Sequence, residues 1–260
     1  MLQKTKEGTV TMFEVTFANA KIFNDCVNSL VTLIDEGEFV LNEEGLKLRA
    51  MDPSQIAMVD FVFPKTAFDK FSVPSETKLG VNLDDLGGVT SRFRPGETLT
   101  LKTDKSGSRL ELVFKGKGTR RFTLPLLDVS SVTPKQPKIE FDSKIKINGS
   151  VLKDSLRDAA LLSAHVTLRT DKDGFIIESR GDKGEVLIET RKDEDTLLDF
   201  SVKTDSRAMY PLEYLNDLVT AASSDAVVTL DLKTDAPLRL QYPIGEATVT
   251  YYLAPRIENA

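Results

Sequence analysis

Hydrophobic positions along the chain follow two rhythms, and both recur. From Lys21 to Asp35, the residues Ile22, Phe23, Cys26, Val27, Leu30, Leu33 and Ile34 sit three and four apart, the spacing of one buried helix face. Phe39-Val40-Leu41, the polar Asn42-Glu43-Glu44-Gly45 and Leu46-Lys47-Leu48 then predict strand, tight turn and strand. Val151 to Ser163 repeats the helix pattern. Val166-Thr167-Leu168, Asp171-Lys172-Asp173-Gly174 and Phe175-Ile176-Ile177 repeat the hairpin. The turn glycines Gly45 and Gly174 stand 129 positions apart (174 − 45), and the same shift carries Ile22 onto Val151, Phe23 onto Leu152 and Asp25 onto Asp154.

The shift persists further along. Leu83, Asp84 and Leu86 fall on Leu212, Glu213 and Leu215, in a second predicted helix of each half. Thr100 and Leu101 fall on Thr229 and Leu230, and Phe122 and Leu124 on Tyr251 and Leu253. Between them Leu110 and Leu112 match Leu238 and Leu240 at a shift of 128, a one-residue drift. Period-two segments such as Leu99-Thr100-Leu101 and Leu110-Glu111-Leu112 read as half-buried antiparallel strands with helices on one face. The fold class expected is α+β: two duplicated domains, each with two helices packed on antiparallel β-sheets. Residues 12–129 form the first domain, 130–138 a proline-containing extended connector, and 139–260 the second domain with its tail. Residues 1–11 are an N-terminal extension whose Gly8 and Lys/Glu content favour disorder.

Composition narrows the function classes. Apolar runs are broken by charge within about ten residues, well short of the ~20 needed to cross a bilayer. The single cysteine, Cys26, cannot form an internal disulfide, which suits a reducing compartment. A net charge of −6 argues against a generally DNA-binding surface, so any nucleic-acid contact depends on where the cations lie.

Catalytic chemistry finds little support. His165 is the only histidine and falls at a helix-to-strand junction, where a solvated or capping role is the simpler reading. Cys26 lies on an apolar helix face, as a buried hydrophobe would. Asp171-Lys172-Asp173-Gly174 places its glycine too early for a calcium loop and lacks the closing glutamate. Lys115-Gly116-Lys117-Gly118-Thr119 lacks phosphate-loop spacing, Asp193-Glu194-Asp195 reads as a solvated loop, and Asp84 with Asp85 favours a helix dipole. No catalytic residue, metal site or cofactor is expected.

Four strings carry a resemblance: Leu48-Arg49-Ala50-Met51-Asp52-Pro53-Ser54, Gly80-Val81-Asn82-Leu83, Leu124-Pro125-Leu126-Leu127-Asp128-Val129 and Tyr252-Leu253-Ala254-Pro255-Arg256-Ile257. In order, and over essentially all of Met12 to Glu258, the chain resembles proliferating cell nuclear antigen, the archaeal type of DNA sliding clamp. The resemblance implies a homotrimeric six-domain ring, helices lining a hole around duplex DNA, and no catalysis. It also implies partners (DNA polymerase, clamp loader, flap endonuclease and DNA ligase) held through short glutamine/aromatic peptides, and a cytoplasmic, nucleoid-associated location.

Carried onto this sequence, the peptide pocket is Met51, Gln55, Ile56, Met58, Leu127, Val132, Pro134, Pro237, Tyr252, Leu253, Ala254 and Pro255. The DNA-facing cations expected are Lys21, Lys78, Arg92, Lys153 and Arg157, with Lys153 and Arg157 four apart on one helix face. The subunit joint sets Lys117 to Phe122 against Glu185, Val186, Leu187, Ile188 and Glu189, with Arg92, Arg94 and Arg120 facing Asp154 and Asp158. Gly87 and Gly88 stand where relatives often carry lysines, which thins the basic lining. The alternative is a specialised paralogous clamp, or one subunit of a heterotrimer, with weaker DNA contact.

Overall fold

A computed structural model describes residues 13–129 and 133–257. The first half runs β1 (Glu14–Phe17), α1 (Ala20–Val31), β2 (Glu36–Asn42), β3 (Gly45–Met51), β4 (Ala57–Pro64), β5 (Lys70–Ser72), β6 (Thr77–Asn82), α2 (Leu83–Thr90), β7 (Thr98–Thr103), β8 (Arg109–Lys115) and β9 (Thr119–Pro125). The second half repeats it: β10 (Ser143–Asn148), α3 (Gly149–Ala160), β11 (His165–Asp171), β12 (Gly174–Gly181), β13 (Gly184–Arg191), β14 (Leu197–Val202), β15 (Ser206–Pro211), α4 (Leu212–Thr220), β16 (Val227–Leu232), β17 (Leu238–Ile244) and β18 (Ala247–Leu253).

Helix starts are set by asparagine. The side chains of Asn19, Asn82 and Asn148 accept from the backbone N–H groups of Lys21, Asp85 and Ser150, satisfying donors the first turn leaves open. α1 ends at Val31, short of Asp35, although Leu33 and Ile34 are buried. Both donate to the Leu30 carbonyl, so the apolar rhythm runs on through a tight turn into β2. α3 likewise ends at Ala160, short of Ser163.

The one-residue drift has a local cause. Leu101 pairs with Leu112, and Leu230 with Leu240; Leu110 pairs with Leu124, and Leu238 with Leu253. Equivalent leucines therefore keep equivalent partners. The first hairpin turn is a residue longer in the first half, and the next is a residue shorter.

All strand pairs are antiparallel, and they form three sheets. One has nine strands, β14-β10-β16-β17-β18-β4-β3-β2-β6, and crosses from one half to the other where β18 meets β4. The others are a five-stranded sheet ending in β9 and a four-stranded sheet ending in β13. By the duplication, β9 is the counterpart of β18 and β13 that of β4. The two smaller sheets thus correspond to the two parts of the large one, left unjoined.

The helices cover the inner faces of these sheets. Phe17 packs on Phe23, Phe63 and Phe68 with ring centroids 4.6 to 5.0 Å apart, anchoring α1 to the first half. Burying each such ring contributes about 1.5–3 kcal/mol. Cys26 is buried on this face of α1, and its thiol is pushed well above the ordinary range, first by burial and then by Asp25. That suits a packing role and not a nucleophile.

Candidate interaction surfaces

Three surfaces carry the residues singled out by sequence. The first is the solvent face of the four helices, and it is more acidic than expected. Its cations are Lys21, Lys153 and Arg157; its acids are Asp25, Asp84, Asp85, Asp154, Asp158, Glu213 and Asp217. Asp217 is held above the usual carboxylate range by burial and by Glu213 one turn away.

All three cations are engaged within the chain. Lys21 pairs with Asp25. The Lys153 ammonium donates to the carbonyls of Thr220, at 3.1 Å, and Ala222, where it caps the C-terminal end of α4. Burial and the nearby Arg157 lower its pKa. Arg157 is well exposed and pairs with Asp154 at 3.0 Å. Lys78 departs from the expectation. It alternates along β6 with the buried Leu79, so it projects from the opposite sheet face and pairs with Glu38 at 2.9 Å. Gly88 lies on the helix face, and a side chain there would meet nothing within 4 Å, whereas one at Gly87 would touch Val31 and Val27 of α1.

The second surface comprises two of the sheet edges, β9 and β13. On β9, Phe122 and Leu124 alternate with exposed Arg121 and Thr123; on β13, Val186 and Ile188 alternate with exposed Leu187 and Glu189. In each, an apolar inner row is only half-covered. Arg120 is spent locally: it pairs with the buried Glu97, donates to the Arg92 carbonyl at 2.9 Å and lies 5.1 Å from the Phe114 ring centroid. It therefore shapes the edge, while Arg92 and Arg94 are exposed and make no ion pair among the described residues.

The third surface is a row crossing the outer face of the nine-stranded sheet. Met51 lies opposite Met58, Met58 opposite Tyr252, and Tyr252 opposite Arg239, on β3, β4, β18 and β17. Leu253 pairs with Ala57 on the inner face and is fully buried, so of the expected pocket residues it supports the row from beneath. Met51 is 37% exposed while Met58 and Tyr252 are covered. Ala254 donates to the Ile56 carbonyl at 2.9 Å, and Leu127 bridges to Gly80 at the far edge of the same sheet. Gln55, exposed, has a φ of 58°. Pro134, Pro237 and Pro255 are half-buried. Val132 lies outside the described residues.

Sequence reasoning missed what organises this face. The Asp52 carboxylate accepts from the backbone of Ser54, Ile56 and Ala57 and from the Tyr214 hydroxyl at 2.7 to 3.0 Å, holding the loop after β3. From the connector, Gln136 donates to the Tyr252 hydroxyl at 2.7 Å. A buried acid beside a Pro-Ser turn is a local signal that could have been read; the Gln136 contact depends on tertiary structure.

Against known proteins, residues 12–132 match the model of the proliferating cell nuclear antigen N-terminal domain and residues 135–257 that of its C-terminal domain. The chain belongs to the proliferating cell nuclear antigen family. It is 35% identical over 248 residues to the DNA polymerase sliding clamp of Thermococcus gammatolerans, covering 95% of this chain and 99% of that one. It is 34% identical over 251 residues to the clamp of Methanococcus vannielii, covering 95% and 100%. The crystal structure of PCNA from Thermococcus kodakaraensis superposes with a TM-score of 0.90 at 28% identity, covering 94% of this chain and all of that one. A. fulgidus PCNA bound to the C-terminal region of FEN-1 gives 0.87 at 28% identity, covering 95% and 100%. The protein is a DNA polymerase sliding clamp of this non-catalytic family, with the α+β clamp fold. Among the described residues, no helix is long and apolar enough to cross a membrane.

Proposed function

We propose that this clamp closes head to tail as a homotrimer, joining β9 of one copy to β13 of the next and encircling duplex DNA without reading its sequence. Its two domains would span residues 12–129 and 139–260 around the connector 130–138. The observation that carries this reading is the sheet topology: the chain already joins the counterparts of these edges, β18 to β4, into one nine-stranded sheet. Repeating that joint covers Phe122, Leu124, Val186 and Ile188 and removes two unpaired edges that otherwise invite association. Arg92 and Arg94 would then face Asp154 and Asp158 of the neighbouring α3.

Through the Met51–Met58–Tyr252 row the ring tethers polymerase, clamp loader, flap endonuclease and ligase by short peptides carrying a glutamine and aromatic anchors, in the cytoplasm at the nucleoid. Methionine side chains adapt to several apolar anchors, and the carbonyl of the half-buried Ala254 can bond a glutamine amide.

A second reading, a specialised clamp or heterotrimer subunit with weak DNA contact, is favoured by the acidic helix face. Its seven acids outnumber three cations, all three of them engaged within the chain. Light scattering on the purified chain separates the two. A mass three times that of the chain supports the homotrimer, and monomer alone at micromolar concentration supports the heterotrimer. Loading onto a primed circular template with loader and polymerase then tests function; no gain in product length would overturn the clamp assignment for this chain acting alone.

A further inference from the structure

We propose that the connector side of the pocket selects partner peptides whose apolar anchors are flanked by acidic residues. The inference rests on the peptide-pocket reading above and adds the charge of the ligand.

The chain as a whole is acidic, yet the strip that crosses the pocket is not. From Thr133 to Ile139 there is no aspartate or glutamate, while Lys135 and Lys138 both occur. Both lysines are exposed, whereas Pro134 and Pro137 are half-buried. That three-residue alternation matches an extended chain with three residues per turn, which presents the lysines on one outward side. Neither lysine has an ion-pair partner among the described residues.

The path of the strip is pinned at two points. Gln136 bonds to Tyr252, and Phe141 lies under the Arg239 guanidinium, with 5.0 Å between the guanidinium carbon and the ring centroid. Tyr252 and Arg239 are directly opposed on neighbouring strands. Lys138 therefore passes between those two points, beside the end of the Met51–Met58–Tyr252 row. Arg239 continues the cationic line onto the sheet. Its Nε bonds to the buried Asp231 at 2.9 Å, which fixes the guanidinium while its side chain stays about one-third exposed. A peptide seated on the apolar row thus meets Lys135, Lys138 and Arg239 along one side. Acidic flanking residues would gain there, and basic ones would be repelled.

The test uses the full-length clamp and three fluorescent peptides that share one glutamine/aromatic anchor sequence. Their flanks are four glutamates, four serines or four lysines. At low salt the acidic peptide should bind roughly 3- to 10-fold more tightly than the neutral one, and the basic peptide more weakly. At about 1 M salt, where the screening length is about 3 Å, the three should converge. Lys135→Glu with Lys138→Glu should invert the order of the acidic and basic peptides. Equal binding of all three by the native clamp at low salt would overturn the proposal and leave the pocket intact. Failure of every peptide to bind would overturn the pocket reading as well. A double variant that loses affinity for a duplex oligonucleotide but keeps its peptide order would assign the lysines to nucleic acid and overturn the proposal.

Discussion

Replacing Gly88 gives the most direct probe of the helix face. Gly88 lies in α2, three positions before Ser91, and a Cβ there meets no atom within 4 Å. Gly88→Ala therefore adds no contact and removes only the conformational freedom of glycine in the unfolded chain, a gain of about 0.5–1 kcal/mol. For a chain of this size that raises Tm by roughly 1–4 °C. Gly88→Lys should keep most of this gain. It also places an ammonium one turn after Asp84 and three residues after Asp85, worth about 0.2–0.5 kcal/mol more. Because assembly and stability are linked, both variants must be melted at the same protein concentration as the native chain. The functional assay is binding to a short duplex over a salt series. If position 88 faces DNA, each phosphate newly contacted by lysine steepens the log–log salt slope by about 0.9, while alanine leaves it unchanged. No stabilisation by alanine would refute the open helical setting of Gly88. Stabilisation by lysine with an unaltered slope would refute the idea that this face meets DNA.

Other predictions concern the joint, the pocket and the lone histidine. Tyr251→Phe removes a hydroxyl that donates to the buried Ser29 carbonyl at 2.6 Å. Thr32 can still donate to that carbonyl, so chemical denaturation should register a loss of about 1–2 kcal/mol; a loss below 0.5 kcal/mol, roughly the minimum for one hydrogen bond, would argue against a role for this bond in holding β18 to α1. Ile188→Glu puts a charge on the half-covered inner row of β13, and sedimentation should show monomer with native-like circular dichroism; a stable trimer would place the joint elsewhere. Tyr252→Ala should weaken anchor-peptide binding at least tenfold by anisotropy, since it removes the centre of the outer-face row and the Gln136 bond. His165, lowered by partial burial and by Arg256 beside it, should titrate below 6.5 in an NMR pH series. A base whose folded pKa is depressed is protonated first in the unfolded chain, so its contribution to stability falls as pH drops through 6.5 and is fully lost below the folded value. His165→Gln should flatten stability over that window.

Much of this molecule was legible in one dimension because its contacts are local and repeated. The period of α1 and α3, the hairpin turns at Gly45 and Gly174, and the leucines paired across β7·β8 and β16·β17 each follow from spacing within a few residues. Helix ends were less legible: Leu33 and Ile34 continue the apolar rhythm of α1 after the helix has turned, since burial constrains a side chain without dictating its backbone.

Charge placement was different. Lys78 and Lys153 have the residue type expected of a DNA-facing surface, yet one emerges from the far side of β6 and the other caps α4. Arg120 belongs to an edge but spends its guanidinium on Glu97. A long cationic side chain takes whichever oxygen the tertiary fold brings near, and Thr220 and Ala222 are remote from Lys153 in sequence. Residue spacing alone determined that two similar halves exist, which faces of their elements are apolar, and that a lysine-bearing connector lies between them. Only the folded chain decided that β18 meets β4, that β9 and β13 remain open, and that the helix face is mostly acidic. Pairing between distant strands and the exposure of a charge depend on three-dimensional neighbours that no local pattern encodes.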